Sequence, residues 1–205
     1  MKTKEGAKQN TEVLDMVRNL FVLLMILASQ LLFAQDRLSV EFRPSANFPT
    51  SDFGSIKVSQ GGGFEAVAAY RFMTDLSAYC GWGYNMFGSD NFSGPTSLLL
   101  EETGYTYGLQ YIPTIKESRL SGVIRGGGVF NHIEVENGNG ETVGDSGHGF
   151  GWQVEGGLAI AVSKKWNFFS TLRYRSLSRS IGAGSSEISG TLNYLSLGMG
   201  VCWRF

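Results

Sequence analysis

The chain has 205 residues, of which 42% are hydrophobic and 17% charged, and its formal net charge is −1. That content can form one folded domain and excludes disorder as the default, while balanced charge leaves no basic field for nucleic acid and no polybasic patch for anionic lipid. The outlier is glycine, with 28 residues beside 13% aromatics; an ordinary chain carries about 7%. Without low-complexity runs, so much glycine needs a packing reason, and a narrow lumen walled by strands supplies one.

Residues 1–15 are polar and patternless, and residues 20–28 (L-F-V-L-L-M-I-L-A) are apolar, with Arg18 before them and small Ala34 after. This reads as a signal peptide over 1–34, with Met16 as an alternative start. A retained span needs about 20 apolar residues, and Ser29 and Gln30 interrupt this run. No cysteine lies near the junction, which argues against a lipoprotein.

Beyond Ala34 the pattern is period two, the signature of strands. Segment 37–43 sets Leu38, Val40 and Phe42 against Ser39, Glu41 and Arg43, and 61–72 sets Phe64, Ala66, Ala68 and Tyr70 against Glu65, Val67, Ala69 and Arg71. Segment 75–87 sets Leu76, Ala78, Cys80, Trp82 and Tyr84 against Ser77, Tyr79, Gly81, Gly83 and Asn85; 102–112 sets Tyr105, Tyr107, Leu109 and Tyr111 against Gly104, Thr106, Gly108 and Gln110. In 119–132 the polarity is mixed, and Arg125 is placed inward. Segment 149–162 sets Trp152, Val154, Leu158 and Ile160 against Gln153, Glu155 and Gly157, and 165–177 sets Trp166, Phe168, Leu172 and Tyr174 against Asn167, Thr171, Arg173 and Arg175. The final stretch, 191–205, sets Leu195, Leu197, Met199, Val201, Trp203 and Phe205 against Tyr194, Ser196, Gly198, Gly200, Cys202 and Arg204.

Eight such segments are joined by connections that run long (44–60, 88–101, 133–148, 178–190) and short (73–75, 113–118, 163–165) in alternation. Membrane barrels have short turns on one side and longer loops on the other. The predicted fold is therefore all-β, an eight-stranded antiparallel up-and-down transmembrane β-barrel over residues 35–205, closed by pairing the last strand with the first.

The parity without large apolar residues gathers Glu41, Arg43, Glu65, Arg71, Gln110, Arg125, Gln153, Glu155, Arg173, Arg175 and Arg204. Facing lipid, each Arg near the midplane would cost about 2–4 kcal/mol. Facing a lumen that eight strands leave only wide enough for side chains, six Arg and three Glu can pair. The expectation is a polar plug of Arg, Glu, Gln and Tyr with a structural role; a gated ion path is the alternative. Interfacial aromatic girdles are expected from Phe72, Trp166, Trp203 and Phe205 on the short-turn side and from Tyr84, Tyr105, Trp152 and Tyr174 on the loop side. Cys80 and Cys202 fall on opposite parities, so no disulfide is expected between them.

Signals for chemistry are weak. His132 and His148 sit at opposite ends of the third long connection, and N-H-I-E-V-E-N has no close metal-ligand spacing. The run E-N-G-N-G-E-T-V-G-D-S-G has turn chemistry but not the order of a calcium loop. No phosphate-cradling glycine motif occurs. The expectation is no catalytic residue, no metal and no cofactor.

The segments N-F-P-T-S-D-F-G, G-F-E-A-V-A-A-Y-R-F, L-S-A-Y-C-G-W-G-Y-N, V-I-R-G-G-G-V-F and G-W-Q-V-E-G-G-L, with the closing aromatic, resemble the small outer-membrane β-barrel domain family typified by the transmembrane domain of outer membrane protein A. The resemblance covers residues 36–205. It implies a Gram-negative outer membrane, outer-membrane lipid as surroundings, insertion by the barrel-assembly machinery with Trp203 and Phe205 as the tail of its signal, and a monomer. No segment following Phe205 corresponds to the peptidoglycan-binding domain of longer relatives, so a cell-wall tether is not expected. The leading functional expectation is a non-enzymatic barrel whose four surface loops serve membrane structure, adhesion or surface interaction, the acidic, glycine-rich third loop above all. The alternative is a lipid-modifying barrel enzyme acting on lipid A or phospholipid, and a soluble lipocalin-like barrel is a third reading.

Overall fold

The computed structural model describes residues 37–89, 98–113, 118–183 and 186–205. The signal-peptide expectation over 1–34 lies outside them. Among the described residues nine strands follow in chain order: β1 Leu38–Pro49, β2 Val58–Arg71, β3 Leu76–Ser89, β4 Leu98–Tyr111, β5 Leu120–Glu136, β6 Thr142–Asp145, β7 Gly149–Ala161, β8 Trp166–Ala183 and β9 Ser186–Arg204. All are antiparallel to their neighbours. Eight form the ring β1-β2-β3-β4-β5-β7-β8-β9, and β6 is a short ribbon above it that pairs with β5 and touches β8.

The ring closes where β9 meets β1, in register from Ser39↔Arg204 to Pro49↔Tyr194, so among the described residues the sheet is left without an open edge. Along this seam the ladder skips Arg43 and Pro44, although Pro44 still pairs with Phe64 of β2. Proline has no N–H to give.

Small inward residues on β9 make room for long ones opposite. A Cβ on Gly198 would lie 2.7 Å from Cδ of Arg43, and one on Gly200 would lie 2.9 Å from its Cβ. In β5, a Cβ on Gly127 would meet the Tyr107 carbonyl oxygen at 2.0 Å, and one on Gly128 would run into the Tyr107 ring at 2.5 Å. The glycine content thus serves close strand approach and space for arginines, the packing reason that the composition demanded.

The connections depart from the expected alternation. Much of each expected loop is strand: β1 continues to Pro49, β5 to Glu136, and β8 and β9 form one long hairpin whose pairing runs up to Ala183↔Ser186. The expected short turn at 113–118 lies largely outside the described residues. On the loop side the strands themselves project.

The projecting segments invert the polarity of the wall. In mid-barrel, Phe42, Ile124, Val154, Leu172, Leu197 and Met199 are exposed outward, while Arg and Glu side chains are buried inside. Toward the loop side, Leu100, Ile133, Val135, Leu177, Ile181 and Leu192 are buried inside, and Glu101, His132, Glu134, Ser178, Ser180 and Ser189 lie on the outer face. Apolar-out suits hydrocarbon and polar-out suits water, so the crossover marks where the wall leaves the bilayer.

Candidate functional site in the barrel lumen

Alternation aims residues 41 and 43 of β1, 65 of β2, 102 and 106 of β4, 125 of β5, 153 and 155 of β7, and 171, 173 and 175 of β8 into the lumen, where all are buried. Four arginines (Arg43, Arg125, Arg173, Arg175) meet four glutamates (Glu41, Glu65, Glu102, Glu155), so the formal charges of this cluster cancel.

Two carboxylates act as hubs. Glu65 accepts from Arg43 Nη2 and Arg173 Nη1, both at 2.5 Å, and from the Thr106 hydroxyl at 2.8 Å. Glu102 accepts from Arg175 Nη1 at 2.7 Å, from the amides of Asn85 and Asn131 at 2.7 and 2.6 Å, and from the Tyr194 hydroxyl. Between them, Arg43 donates to Glu155 at 2.6 Å and Arg125 donates to Glu155, Glu41 and the Gln110 carbonyl. Gln153 accepts from Arg175 at 2.7 Å and donates to the Tyr79 hydroxyl at 3.1 Å.

These bonds span the lumen. In the ring, β1 stands opposite β5 and β4 stands opposite β9, so the Glu41–Arg125 and Glu102–Tyr194 contacts each bridge the diameter.

Apolar layers close both ends of the polar one. On the loop side, Phe53 and Ile56 of residues 50–57 turn inward and pack with Phe87, Leu100, Val129, Ile133, Leu177, Ile181, Leu192 and the Tyr194 ring. Gly54 turns this loop at φ +58°, with no room for a Cβ against the Ser189 carbonyl at 2.8 Å. At the short-turn end, Val123, Ala159, Phe169 and Cys202 form one cluster, and Val67, Ala69 and Tyr79 form another. The lumen is therefore a layered plug, with apolar layers on either side of the polar one. Excluding water from both ends lowers the local dielectric and strengthens each ion pair between them.

The residues expected from sequence divide accordingly. Glu41, Arg43, Glu65, Gln110, Arg125, Gln153, Glu155, Arg173 and Arg175 are all buried inside. Arg71 and Arg204 have the inward parity but lie half-buried at the short-turn mouth, where Arg204 donates to Asn167 at 2.7 Å. With these two set apart and Glu102 added, the mid-barrel cluster holds four arginines and four glutamates. Asn85 and Tyr194, expected on the inward parity, join this network, and so do Glu102, Asn47, Asn131 and Arg179, which had been assigned no side; Arg179 reaches the Phe150 and Gly149 carbonyls at the rim. Their signal was parity: each falls in step with an inward neighbour two residues away.

The girdle residues also face outward. Trp166 stacks on Trp203 with centroids 6.3 Å apart near the short turns, Trp152 lies 5.5 Å from Tyr174, and Tyr105 is exposed. Phe205, the last residue, is exposed, and Cys80 and Cys202 are free thiols, one exposed and one buried.

No protein-family profile matches the sequence, and no curated protein matches it. Solved structures do. Neisserial surface protein A is similar at 18% identity with a TM-score of 0.60, covering 82% of this chain and 97% of that one. Outer membrane protein OprG from Pseudomonas aeruginosa is similar at 12% identity and a TM-score of 0.58, over 84% of this chain and 97% of that one. The chain has the small outer-membrane β-barrel fold. Outer membrane protein AlkL, solved in lipid bilayers, is similar at 16% identity and a TM-score of 0.52, covering 83% of this chain and 90% of that one. The apolar outer wall and the closed ring suit this outer-membrane-type architecture, which crosses a bilayer with strands.

Proposed function

We propose that the protein is a non-enzymatic outer-membrane barrel whose lumen is structural and whose water-exposed rim carries its function in membrane structure, adhesion or surface interaction. The observation that carries this reading is the plug bridged across its diameter by Glu41–Arg125 and Glu102–Tyr194, which leaves the loop-side rim as the surface available to partners. The third connection, with its β6 ribbon and exposed Glu141 and Asp145, is the part best suited to contact another molecule. The barrel is a monomer delivered by the barrel-assembly machinery, with Trp203 and Phe205 as the tail of its signal.

An esterase arrangement needs a hydroxyl nucleophile beside an imidazole. The Ser146 hydroxyl is instead held between the Ile133 N–H and the Gly147 carbonyl, which supports the non-enzymatic reading. Fractionation of expressing cells, followed by incubation of the purified protein with lipid A and phospholipid, tests it. Recovery in the outer membrane, extraction only by detergent and no lipid turnover are expected. Release without detergent, or turnover abolished by His132→Ala, would overturn it.

A further inference from the structure

His132 and His148, sixteen positions apart, are neighbours in the structure: the β5–β7 pairing ends at Asn131↔Gly149, and the next step along each strand brings the two imidazoles together on the outer face of the rim. His132 Nδ1 lies 3.3 Å from His148 Nε2. On its other side, His132 Nε2 lies 3.0 Å from the Glu134 carboxylate. That contact fixes the tautomer, because Nε2 must carry the proton it donates to Glu134, so Nδ1 presents its lone pair toward His148.

A carboxylate holding one imidazole nitrogen while the other nitrogen points at an electrophile is the usual second shell of a histidine-bound metal. The spacing also fits. Zinc–nitrogen bonds of about 2.0–2.1 Å at a tetrahedral angle put two ligand nitrogens about 3.3–3.4 Å apart. Charge favours a cation here as well: Glu101 is the cross-strand partner of Glu134, Asp145 pairs with Glu134 from β6, and Glu136 follows on the same strand. Phe130 and Phe150 form an aromatic floor, with Phe130 5.3 Å from the His148 ring. Because His148 is exposed, water can fill the remaining coordination positions.

We infer that the His132–His148 pair is a binding site for a borderline-soft divalent transition-metal ion of the zinc class, ligated by His132 Nδ1 and His148 Nε2, with Glu134 as a positioning residue. Among the described residues no third metal-ligating side chain converges on the pair, so this is a two-histidine site completed by water. Such an ion would tie the origin of β7 to β5 at the base of the third connection. Binding requires His148 in the tautomer protonated at Nδ1, which leaves the Nε2 lone pair for the ion.

Calorimetric titration of the folded chain in detergent micelles with zinc chloride tests the site. One saturable event per chain is expected, lost in both His132→Ala and His148→Ala and weakened about 10- to 100-fold in Glu134→Gln. Excess calcium should not displace the zinc, because nitrogen ligands do not suit hard cations. Each variant should keep the wild-type barrel, read from its heat-modifiable gel mobility. The inference is overturned if wild type binds no zinc, if zinc binding survives His148→Ala, or if calcium competes equally and so assigns the binding to the acidic residues.

Discussion

Glu65 shows how much one lumen side chain carries. Its carboxylate holds Arg43 and Arg173 at 2.5 Å in a buried layer, so removing the negative charge leaves two guanidinium groups short of a counter-ion. Breaking one partner out of a buried pair costs about 3–5 kcal/mol. Urea unfolding of Glu65→Gln in lipid vesicles should show a loss of that size, and a loss below about 1 kcal/mol would mean that the other carboxylates compensate. Glycines sort just as sharply. A Cβ on Gly108 would sit 2.2 Å from the Gly126 carbonyl oxygen, whereas one on Gly126 meets nothing within 4 Å. Gly108→Ala should therefore destabilise the barrel by about 1–3 kcal/mol, as overpacking does, and Gly126→Ala should leave the same unfolding midpoint unchanged. Most of this residue-level plan was legible in the sequence, because charges confined to one parity can face only a lumen. Glu102 was not, because it stood at the edge of its expected strand, where parity had not been carried far enough to assign it a side.

At the scale of the element, the long hairpin of β8 and β9 was the least legible part. Residues 178–190 are rich in Ser and Gly, poor strand formers by propensity, and they read as loop. They do alternate, but in the opposite sense: Ile181 is buried inside and Ile188 packs against the same cluster, while Ser180 and Ser189 share a hydroxyl–hydroxyl contact of 2.8 Å. A search tuned to apolar-out, polar-in strands passes over a wall that has entered water. The same inversion hid the continuation of β5, where Ile133 and Val135 are buried between outward His132, Glu134 and Glu136. It also hid the histidine pair, since ends of a flexible loop need not meet, whereas adjacent positions on paired strands must. Thiol labelling tests the assignment of the water boundary. A membrane-impermeant maleimide should modify Ser180→Cys in intact vesicles and spare Leu172→Cys, with native Cys80, exposed on the outer wall, contributing little background. Equal labelling at both positions would contradict a boundary between them.

For the molecule as a whole, eight strands closed by β1 and β9 enclose three layers: apolar at the short turns, ion-paired in the middle, apolar again under residues 50–57. Such an interior holds the wall together, and the structural role proposed for it turns the functional question toward the rim. Fold, closure and the inward set followed from period-two patterning, because a bilayer forces every strand to obey the same rule. The rim, set by water and unknown contacts, obeys a looser one, and its chemistry became visible only with the strands paired. The central claim is that the lumen is a closed structural core, and single-channel recording in planar bilayers addresses it most directly. Wild-type protein should incorporate without stable conductance steps at any applied voltage; steady, reproducible open-channel current from the wild type would contradict it.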